Sequence, residues 1–347
     1  MASLCAVQIP LQERCGEGTL ERILASRIHI NTILSETILR RTANAELAGS
    51  CLSSTLPGRK VRSFLFLETL RELGVSDYTT ETADVIFAIE CSHAGSVLLD
   101  DLLDGDDLRH GETSIQRSWA VSKRTLLAHY LAATALSAVQ FDDVLYAALL
   151  AGYEAMTLGE MYDLLIPEGT DWMECGYGDL VARKTFPLFD FSLHAAARLA
   201  SVAADRVLAL RASGRAIGRL YQLSNDYYDW KASNLSKRHL PGTSWPITFS
   251  FPLATYLRRY GVGAIKSELS AKSLSHEAWR EFLTVIWTPE VEMDCRIAMR
   301  RAGVSVRSAC TELSPNLQRL YSGIVDMLAE EDFWYHTFHR HSTSVGE

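Results

Sequence analysis

The sequence predicts an all-α protein, and three observations lead to that fold class. Only nine prolines and 21 glycines occur in the 347 residues, so few positions break a helix. Long segments instead repeat apolar residues at helical spacing. Alternating β-branched runs bounded by Asn-Gly or Asp-Gly turns are nearly absent, so we expect little strand.

The apolar periodicity assigns the helices in chain order. Predicted helical segments are 21–48, 60–74, 80–104, 118–138, 141–165, 177–201, 203–230 and 317–332. Gly, Pro, Ser and Thr gather between several of them, which predicts loops at 50–58, 74–79, 105–114, 166–174 and 236–246. We expect residues 1–17 and 340–347 to be loose terminal segments outside the folded domain.

The overall composition narrows the class of protein. Apolar residues make up 48% of the chain and charged residues 22%, which is ordinary globular usage. The formal charge of −8 argues against a nucleic-acid partner and suits a protein that recruits cations. Seven cysteines show neither a CxxC pair nor zinc-ligand spacing, so we expect reduced thiols. With no signal-peptide pattern and no long uninterrupted apolar run, we expect a cytoplasmic protein without a transmembrane segment.

Two acidic clusters end apolar helical segments. The first is DDLLD at 100–104, and similar spacing recurs in NDYYD at 225–229. Carboxylates placed this closely repel one another, and magnesium together with phosphate oxygens would relieve the repulsion. A single cluster of this kind is usually a solvated helix end. Two clusters facing each other across a cavity would instead form a magnesium site.

Basic residues accompany both clusters, in PGRKVR at 57–62, RHG at 109–111 and RKT at 183–185. The guanidinium group of arginine and the ammonium group of lysine are the side-chain groups that bind diphosphate. Metal ions neutralise the charge on a departing diphosphate, which is what chemistry at an allylic carbon requires.

With these motifs, the chain resembles the trans-isoprenyl diphosphate synthase (polyprenyl synthetase) family from about residue 55 to 250. DDLLDGDDLRHG at 100–111 is similar to the family's DDxxDxxxxRRG, and YQLSNDYYD at 221–229 is similar to FQxxDDxxD. Four other segments match family elements in the same order: PGRKVR (57–62), ECSHAGS (90–96), GEMYD (159–163) and RKTFPLF (183–189).

The resemblance implies a single helical bundle of the isoprenoid-synthase type around a deep apolar pocket, spanning residues 18–339 and usually homodimeric. It implies three magnesium ions held by Asp100, Asp101, Asp104, Asn225, Asp226 and Asp229. It assigns substrate binding to Arg59, Arg62, His93, Arg109, Lys184, Thr185, Gln222 and Lys237, with Asp100, Asp104 and Lys184 as the catalytic residues.

Gly95 lies five positions before Asp100, where the family places the residue that limits chain growth, and Ser96 follows it. A glycine would leave the pocket open to farnesyl or geranylgeranyl products. The alternative is that Gly95 only permits close packing of helices. Asn225 departs from the family, which has an aspartate there, and gives NDYYD some likeness to the NDxxSxxxE motif of class I terpene cyclases.

Three functions therefore remain open. The first is transfer of an allylic chain to isopentenyl diphosphate or to another phosphorylated acceptor, such as an indole. The second is cyclisation or elimination within the allylic substrate, and the third is a non-catalytic partner subunit. Retention of Arg59, Arg62 and His93 favours transfer, because a cyclase binds no second phosphate.

Overall fold

The computed structural model describes residues 18–75, 79–103, 108–109, 112–113, 119–165, 176–230, 245–246, 249–270 and 273–329. Helices dominate these ranges, which confirms the all-α prediction. They are α1 (Thr19–Arg41), α2 (Ala45–Thr55), α3 (Val61–Glu72), α4 (Thr80–Leu103), α5 (Val121–Ala138), α6 (Asp143–Leu165), α7 (Tyr177–Lys184), α8 (Phe186–Leu199), α9 (Ala204–Asp229), α10 (Phe251–Tyr260), α11 (Lys266–Ser270), α12 (His276–Ile286), α13 (Pro289–Ala309) and α14 (Pro315–Leu328).

Strand content is limited to four two-residue strands in the described ranges. β1 (Leu108–Arg109) pairs antiparallel with β2 (Glu112–Thr113), close to the end of α4. β3 (Trp245–Pro246) pairs antiparallel with β4 (Ser273–Leu274). Neither pair forms a sheet that could support a core.

The segment predicted as one helix over 21–48 forms two helices. Thr42 ends α1 in extended backbone, and the side chain of Asn44 caps α2 by accepting a hydrogen bond from the backbone N–H of Leu47. A capping asparagine satisfies a donor that the first helical turn leaves unpaired. α2 then continues to Thr55, so most of the predicted loop at 50–58 is helical.

The segment predicted as one helix over 177–201 also divides. α7 ends at Lys184 and α8 begins at Phe186, with Pro187 in its first turn. Proline fits there because its missing N–H would have had no partner in the first turn, whereas it would disrupt a continuous helix. Lys184 and Thr185 therefore stand at a junction between two helices.

Helices α10 to α13 lie in a region where the periodicity predicted none. Several helices in this part of the chain begin after a recognisable N-cap residue. The side chains of Ser275, Thr288 and Ser314 each accept a hydrogen bond from a backbone N–H in the following turn. Pro289 and Pro315 follow two of these caps in the first helical turn. The boundaries were thus readable from capping chemistry, which the search for long apolar periodicity did not use.

Two close contacts fix the helices that carry the site. α8 packs along α9, where a Cβ atom added at Gly214 would lie 2.7 Å from the carbonyl oxygen of Phe189. Asp190 on α8 also accepts hydrogen bonds of 3.0 and 2.8 Å from the guanidinium of Arg211 on α9. Glycine at 214 thus allows the backbones to approach, and the ion pair fixes their register.

α4 is the long apolar helix at the centre of the bundle. By length and composition it could cross a membrane, but 72% of its most apolar window is buried inside the fold. Its apolar side chains pack into the core formed with the neighbouring helices, and Asp84 near its start accepts hydrogen bonds from Arg40 and Arg41 of α1. We interpret α4 as a core helix that ends at the acidic cluster.

Candidate active site

A cavity of about 1000 Å³ is lined by residues of α3, α4, α5, α6, α7 and α9 and reaches the end of α4. Residues of both acidic clusters and of the basic segments at 57–62 and 183–185 line it. The predicted site residues in its wall are Arg59, Arg62, His93, Gly95, Ser96, Asp100, Asp101, Lys184, Thr185, Gln222, Asn225, Asp226 and Asp229. The structure therefore brings together residues that are up to 170 positions apart in the sequence.

The first acidic cluster occupies the last turn of α4. The Asp100 side chain is 39% exposed within the cavity wall, whereas Asp101 is buried beside it. Asp104, Lys237 and the side chain of Arg109 lie outside the described residues, so their predicted roles stay predictions.

Lys184 connects this cluster to α6. Its ammonium nitrogen lies 3.3 Å from Asp100 Oδ1, 2.9 Å from Glu160 Oε2 and 2.7 Å from Asp163 Oδ2. Burial by itself would lower the pKa of Lys184, but the three carboxylates raise that pKa well above its usual value. Lys184 is consequently a fixed positive charge facing the cavity.

Glu160 and Asp163 are site residues that the sequence interpretation did not assign. Burial raises the pKa of Glu160 to about 7, with Asp100 and Asp163 contributing in the same direction and Lys184 opposing them. Both residues belong to GEMYD at 159–163, one of the segments that match family elements in order, to which the resemblance assigns no role. The available signal was the i, i+3 spacing of two carboxylates on one helix face.

Gly159 permits the approach of α6 and α7 on which this cluster depends. A Cβ atom at this position would lie 2.9 Å from Lys184 Cγ and 3.0 Å from the backbone nitrogen of Lys184. Side chains do not normally pack that closely. The missing Cβ therefore lets Lys184 reach Glu160 and Asp163.

The second acidic cluster ends α9, and its Asp226 is held by three donors. Asp226 Oδ2 accepts hydrogen bonds from the Tyr177 hydroxyl (2.6 Å) and from the backbone N–H of Phe251 (2.8 Å). Oδ1 accepts one from Gln222 Nε2 (2.7 Å), and Gln222 Oε1 in turn accepts one from the Thr185 hydroxyl (2.7 Å). This chain of hydrogen bonds joins the α7–α8 junction to α9.

Burial raises the pKa of Asp226 to about 6, and the neighbouring Asp229 acts in the same direction against the three donors. A carboxylate has about four lone-pair positions, so one remains for a further ligand. Asn225 and Asp229 line the same cavity. Asp226 therefore also fixes the cluster in place, a structural role that the motif did not indicate.

The oxygen donors suit a hard cation such as magnesium. Among the residues that the structure describes, no three His, Cys, Asp or Glu side chains converge closely enough to bind one ion by themselves. Magnesium is usually held by one or two carboxylates, with water and substrate phosphate completing its coordination. The donors therefore fit magnesium only together with a phosphate-bearing ligand.

A second basic group lies at the start of α3. Burial lowers the pKa of Arg59 to about 10, although Tyr221 and Asp229 oppose that shift. The Arg62 guanidinium lies 4.7 Å from the centre of the Phe189 ring and 5.5 Å from that of Tyr221. Arg62 Nε is buried without a hydrogen-bond partner among the described residues. An arginine seated on two aromatic rings in this way is preorganised to bind an anion.

Lys60, between these arginines, has a structural role. Its ammonium group donates a hydrogen bond to the Pro57 carbonyl (2.6 Å) and pairs with Glu90 at 3.1 Å. Lys60 also adopts the left-handed backbone conformation, with φ of 61°, just before α3. All three residues line the cavity, and the Lys60 ammonium group is held by Glu90 and the Pro57 carbonyl.

Gly95 both lines the cavity and packs against α5. A Cβ atom there would lie 3.2 Å from the carbonyl oxygen of Ala128, closer than side chains normally pack. This contact supports the close-packing interpretation of Gly95. The adjacent Ser96 donates a hydrogen bond to the His93 carbonyl (2.9 Å), so its hydroxyl is satisfied within α4. The proposed role of the pair in limiting chain length stays a prediction.

Comparison with known proteins places these motifs in a wider group. Residues 45–240 match the family model described as polyprenyl synthetase. The short chain isoprenyl diphosphate synthase of Methanothermobacter thermautotrophicus is 28% identical over 60% of this chain and 62% of the relative. The farnesyl diphosphate synthase of Geobacillus stearothermophilus is 26% identical over 58% of this chain and 71% of the relative. The chain thus spans 62% of the length of this first relative and 54% of that of an octaprenyl diphosphate synthase from Haemophilus influenzae.

Solved structures show the same fold. A polyprenyl synthase from Caulobacter crescentus, crystallised with calcium and isoprenyl diphosphate, aligns with a TM-score of 0.75 at 18% identity and covers 90% of this chain and 97% of that one. A decaprenyl diphosphate synthase from Rhodobacter capsulatus aligns with a TM-score of 0.73 at 15% identity, covering 89% and 98%. The fold, the ordered motifs and the match over more than half of its length together show that this chain belongs to the polyprenyl synthetase family.

Proposed function

We propose that this protein transfers the prenyl group of an allylic diphosphate, farnesyl or geranylgeranyl diphosphate, to an acceptor and releases pyrophosphate in a magnesium-dependent reaction. The observation that carries the proposal is the arrangement of charge in one cavity. Lys184 lies at the acidic cluster of α4, and Arg59 with Arg62 adds a second cationic group to the same cavity, with Arg59 close enough to Asp229 of α9 for that carboxylate to raise its pKa. Two diphosphates, or a diphosphate and a phosphate, would satisfy both groups.

The donor end is assigned to the acidic clusters and Lys184. We propose that Asp100, Asp101 and Asp104 on one side, with Asn225, Asp226 and Asp229 on the other, hold about three magnesium ions. When bound, magnesium would neutralise the negative charge that grows on the departing diphosphate. Lys184 adds a fixed positive charge at the same place, which lowers the energy of the separated charges.

The acceptor end is assigned to Arg59, Arg62 and His93. The buried guanidinium groups would hold the acceptor's phosphate and position its π-bond toward the allylic carbon. The walls around the prenyl chain would exclude water, which would otherwise capture the allylic cation. Isopentenyl diphosphate is the first acceptor to test.

An aromatic acceptor carrying its own phosphate is the second candidate. It is favoured by the aromatic side chains of Tyr177, Tyr221, Trp230 and Phe249, which line the cavity near the second acidic cluster. Such rings stack on an indole through offset or edge contacts. The same rings would also stabilise a carbocation during cyclisation, but cyclisation gives no use for Arg59 and Arg62.

The test is product identification by mass spectrometry. Purified protein is incubated with magnesium and geranylgeranyl diphosphate, alone, with isopentenyl diphosphate, or with indole-3-glycerol phosphate as the aromatic probe. A diphosphate longer by one isoprene unit, or a prenylated indole, would support transfer and identify the acceptor. A hydrocarbon formed from the allylic substrate alone would contradict it. Arg62→Ala should reduce transfer strongly while leaving hydrolysis of the allylic substrate nearly unchanged.

A further inference from the structure

Helix α13 lies at the surface of the bundle, with neighbours on both sides. On one side, Arg259 of α10 pairs with Asp294 at 2.7 Å. On the other side, Arg307 pairs with Asp326 of α14 at 2.6 Å. The inner side of α13 is buried and packs against α9. The side chains between the two flanking contacts therefore form an outer face that points away from the bundle.

This outer face carries apolar side chains at helical spacing. Its central stripe recurs at steps of four and three residues and consists of Met293, Ile297, Arg300, Val304 and Arg307. The three apolar members of the stripe are exposed. A helix that packs on a core through one face normally presents polar and charged side chains on the other. α13 is thus apolar on its inner side and partly apolar on its outer side.

The same face is positively charged. Four arginines and no acidic residue occur between positions 295 and 309, in a chain whose formal charge is −8. Arg296 pairs with Glu292 at 2.7 Å, and Arg307 has its partner on α14. Arg300 and Arg301 are exposed and have no carboxylate partner within the part of the chain that the structure describes. The outer face of α13 is therefore a local excess of positive charge.

The alternation of arginine with apolar side chains suits a lipid surface better than a protein partner. A standard protein interface buries about 800 Å² on each side around an apolar core that carries few charges. Here each apolar side chain has a guanidinium group beside it. A helix that lies in the membrane interface inserts its apolar side chains among the acyl chains, while its arginines extend to anionic headgroups.

We propose that the outer face of α13 docks this protein on a membrane surface that carries anionic lipid. The inference goes beyond the proposed function and does not depend on it. The docking face begins beside the second acidic cluster, because Arg296 Nε donates a hydrogen bond to the Tyr227 hydroxyl (2.9 Å) and Tyr227 follows Asp226. Docking would hold this end of α9 close to the lipid.

The experiment is co-sedimentation of the purified full-length protein with vesicles of phosphatidylcholine, alone or mixed with phosphatidylserine. The wild type should bind the mixed vesicles more tightly, and salt should weaken that binding. Arg300→Glu should weaken it about tenfold or more, because one attractive charge becomes repulsive. Val304→Trp should tighten it several-fold, since indole rings favour the membrane interface. A gain of binding cannot result from unfolding of the variant.

Arg206→Glu is the matched control, because Arg206 is also exposed and the change in charge is the same. Arg206 precedes Ser213 by seven residues, about 10 Å along α9, and the Ser213 hydroxyl donates to the Ala309 carbonyl at the end of α13 (3.3 Å). This variant should bind the mixed vesicles as the wild type does.

Three results would overturn the proposal. The first is wild-type protein that sediments with neither kind of vesicle. The second is equal weakening by Arg300→Glu and Arg206→Glu, which would reflect net charge alone. The third is a change of oligomeric state in Arg300→Glu without vesicles, which would assign the outer face of α13 to a second copy of the chain.

Discussion

Lys184 is the residue on which the charge balance of the site depends. It pairs with three carboxylates from α4 and α6, and its side chain is only 23% exposed. Without it, Asp100, Glu160 and Asp163 would face one another without a compensating charge. Removing one partner of a buried ion pair costs far more than removing an exposed one.

Lys184→Met should therefore lower the free energy of unfolding by about 3 kcal/mol and also reduce turnover. Lys123→Met is the matched control, because Lys123 is 41% exposed and lies 3.9 Å from a highly exposed Glu46. The Lys123–Glu46 pair should contribute less than about 1 kcal/mol to the free energy of unfolding. The free energy of unfolding of both variants is measured by urea denaturation. Equal stability of the two would show that the Lys184 cluster does not stabilise the fold.

His194 is a second single residue whose contribution can be tested, through the pH dependence of folding stability. It is buried between α8 and its neighbours, where Arg211, Asp190, Asp142 and Arg198 surround it. Burial lowers the pKa of His194, Arg211 and Arg198 add to the shift, and the two aspartates oppose it. The unfolded chain titrates near the ordinary value of about 6.5 and so binds more protons below that pH, which destabilises the folded state.

Stability should consequently fall as the pH decreases from about 7 to about 5, and the fall should be shallower in His194→Gln. The measurement is the free energy of unfolding at several pH values in this window. Only the difference in slope between the two proteins is informative, since other groups titrate in both. Parallel slopes would contradict a buried neutral His194.

At the scale of elements, the site depends on helices that approach closely where glycine removes a side chain. Gly159→Ala would force α6 away from α7, because the new methyl group meets the Lys184 backbone and Cγ at about 3 Å. Overpacking of this kind typically costs about 1–3 kcal/mol, and turnover should fall because Lys184 moves.

Gly152→Ala is the control on the same helix. Its Cβ would lie 3.4 Å from Pro187 Cβ, an ordinary contact, and alanine favours a helix over glycine by about 1 kcal/mol. This variant should be neutral or slightly more stable in thermal unfolding. If Gly159→Ala behaves as Gly152→Ala does, the close approach of α6 and α7 is not required.

Much of the fold and part of the site could be predicted from the sequence. Apolar periodicity located α3 to α6 and α9, and the acidic clusters were found on α4 and α9 as expected. The breaks at Asn44 and Pro187 were missed because a strong apolar period continues through them, although both residues are boundary signals. The role of Tyr177 could not be predicted, since it depends on a contact between α7 and the end of α9, 49 residues later in the sequence.

At the scale of the whole molecule, the distribution of exposed apolar side chains predicts that the protein self-associates. Nine of the eighteen exposed large apolar side chains in the described residues lie between 121 and 164, on or beside α5 and α6. Val121, Met161 and Leu164 line the cavity, and the other six form a concentration of apolar surface of the kind that usually marks an interface. This apolar surface agrees with the homodimer that the family resemblance implies. The homodimer stays a prediction.

Sedimentation should therefore give twice the mass of one chain. Leu150→Asp should shift the protein toward the monomer, because Leu150 is 47% exposed on α6 and a carboxylate there would be buried in the interface. Val304→Asp on α13, at a side chain that is 66% exposed, should leave the dimer intact. A monomeric wild type, or equal behaviour of the two variants, would contradict an interface on α5 and α6.

We propose that the α4 carboxylates, with magnesium, ionise an allylic diphosphate in this cavity. The most direct measurement is pyrophosphate release from geranylgeranyl diphosphate in the presence of the acceptor identified by mass, comparing wild type with Asp100→Asn. We predict release that requires magnesium and that falls about a hundredfold or more in the variant, because a ligand that offsets transition-state charge is lost. Release that is independent of magnesium, or that is unchanged in Asp100→Asn, would contradict the account.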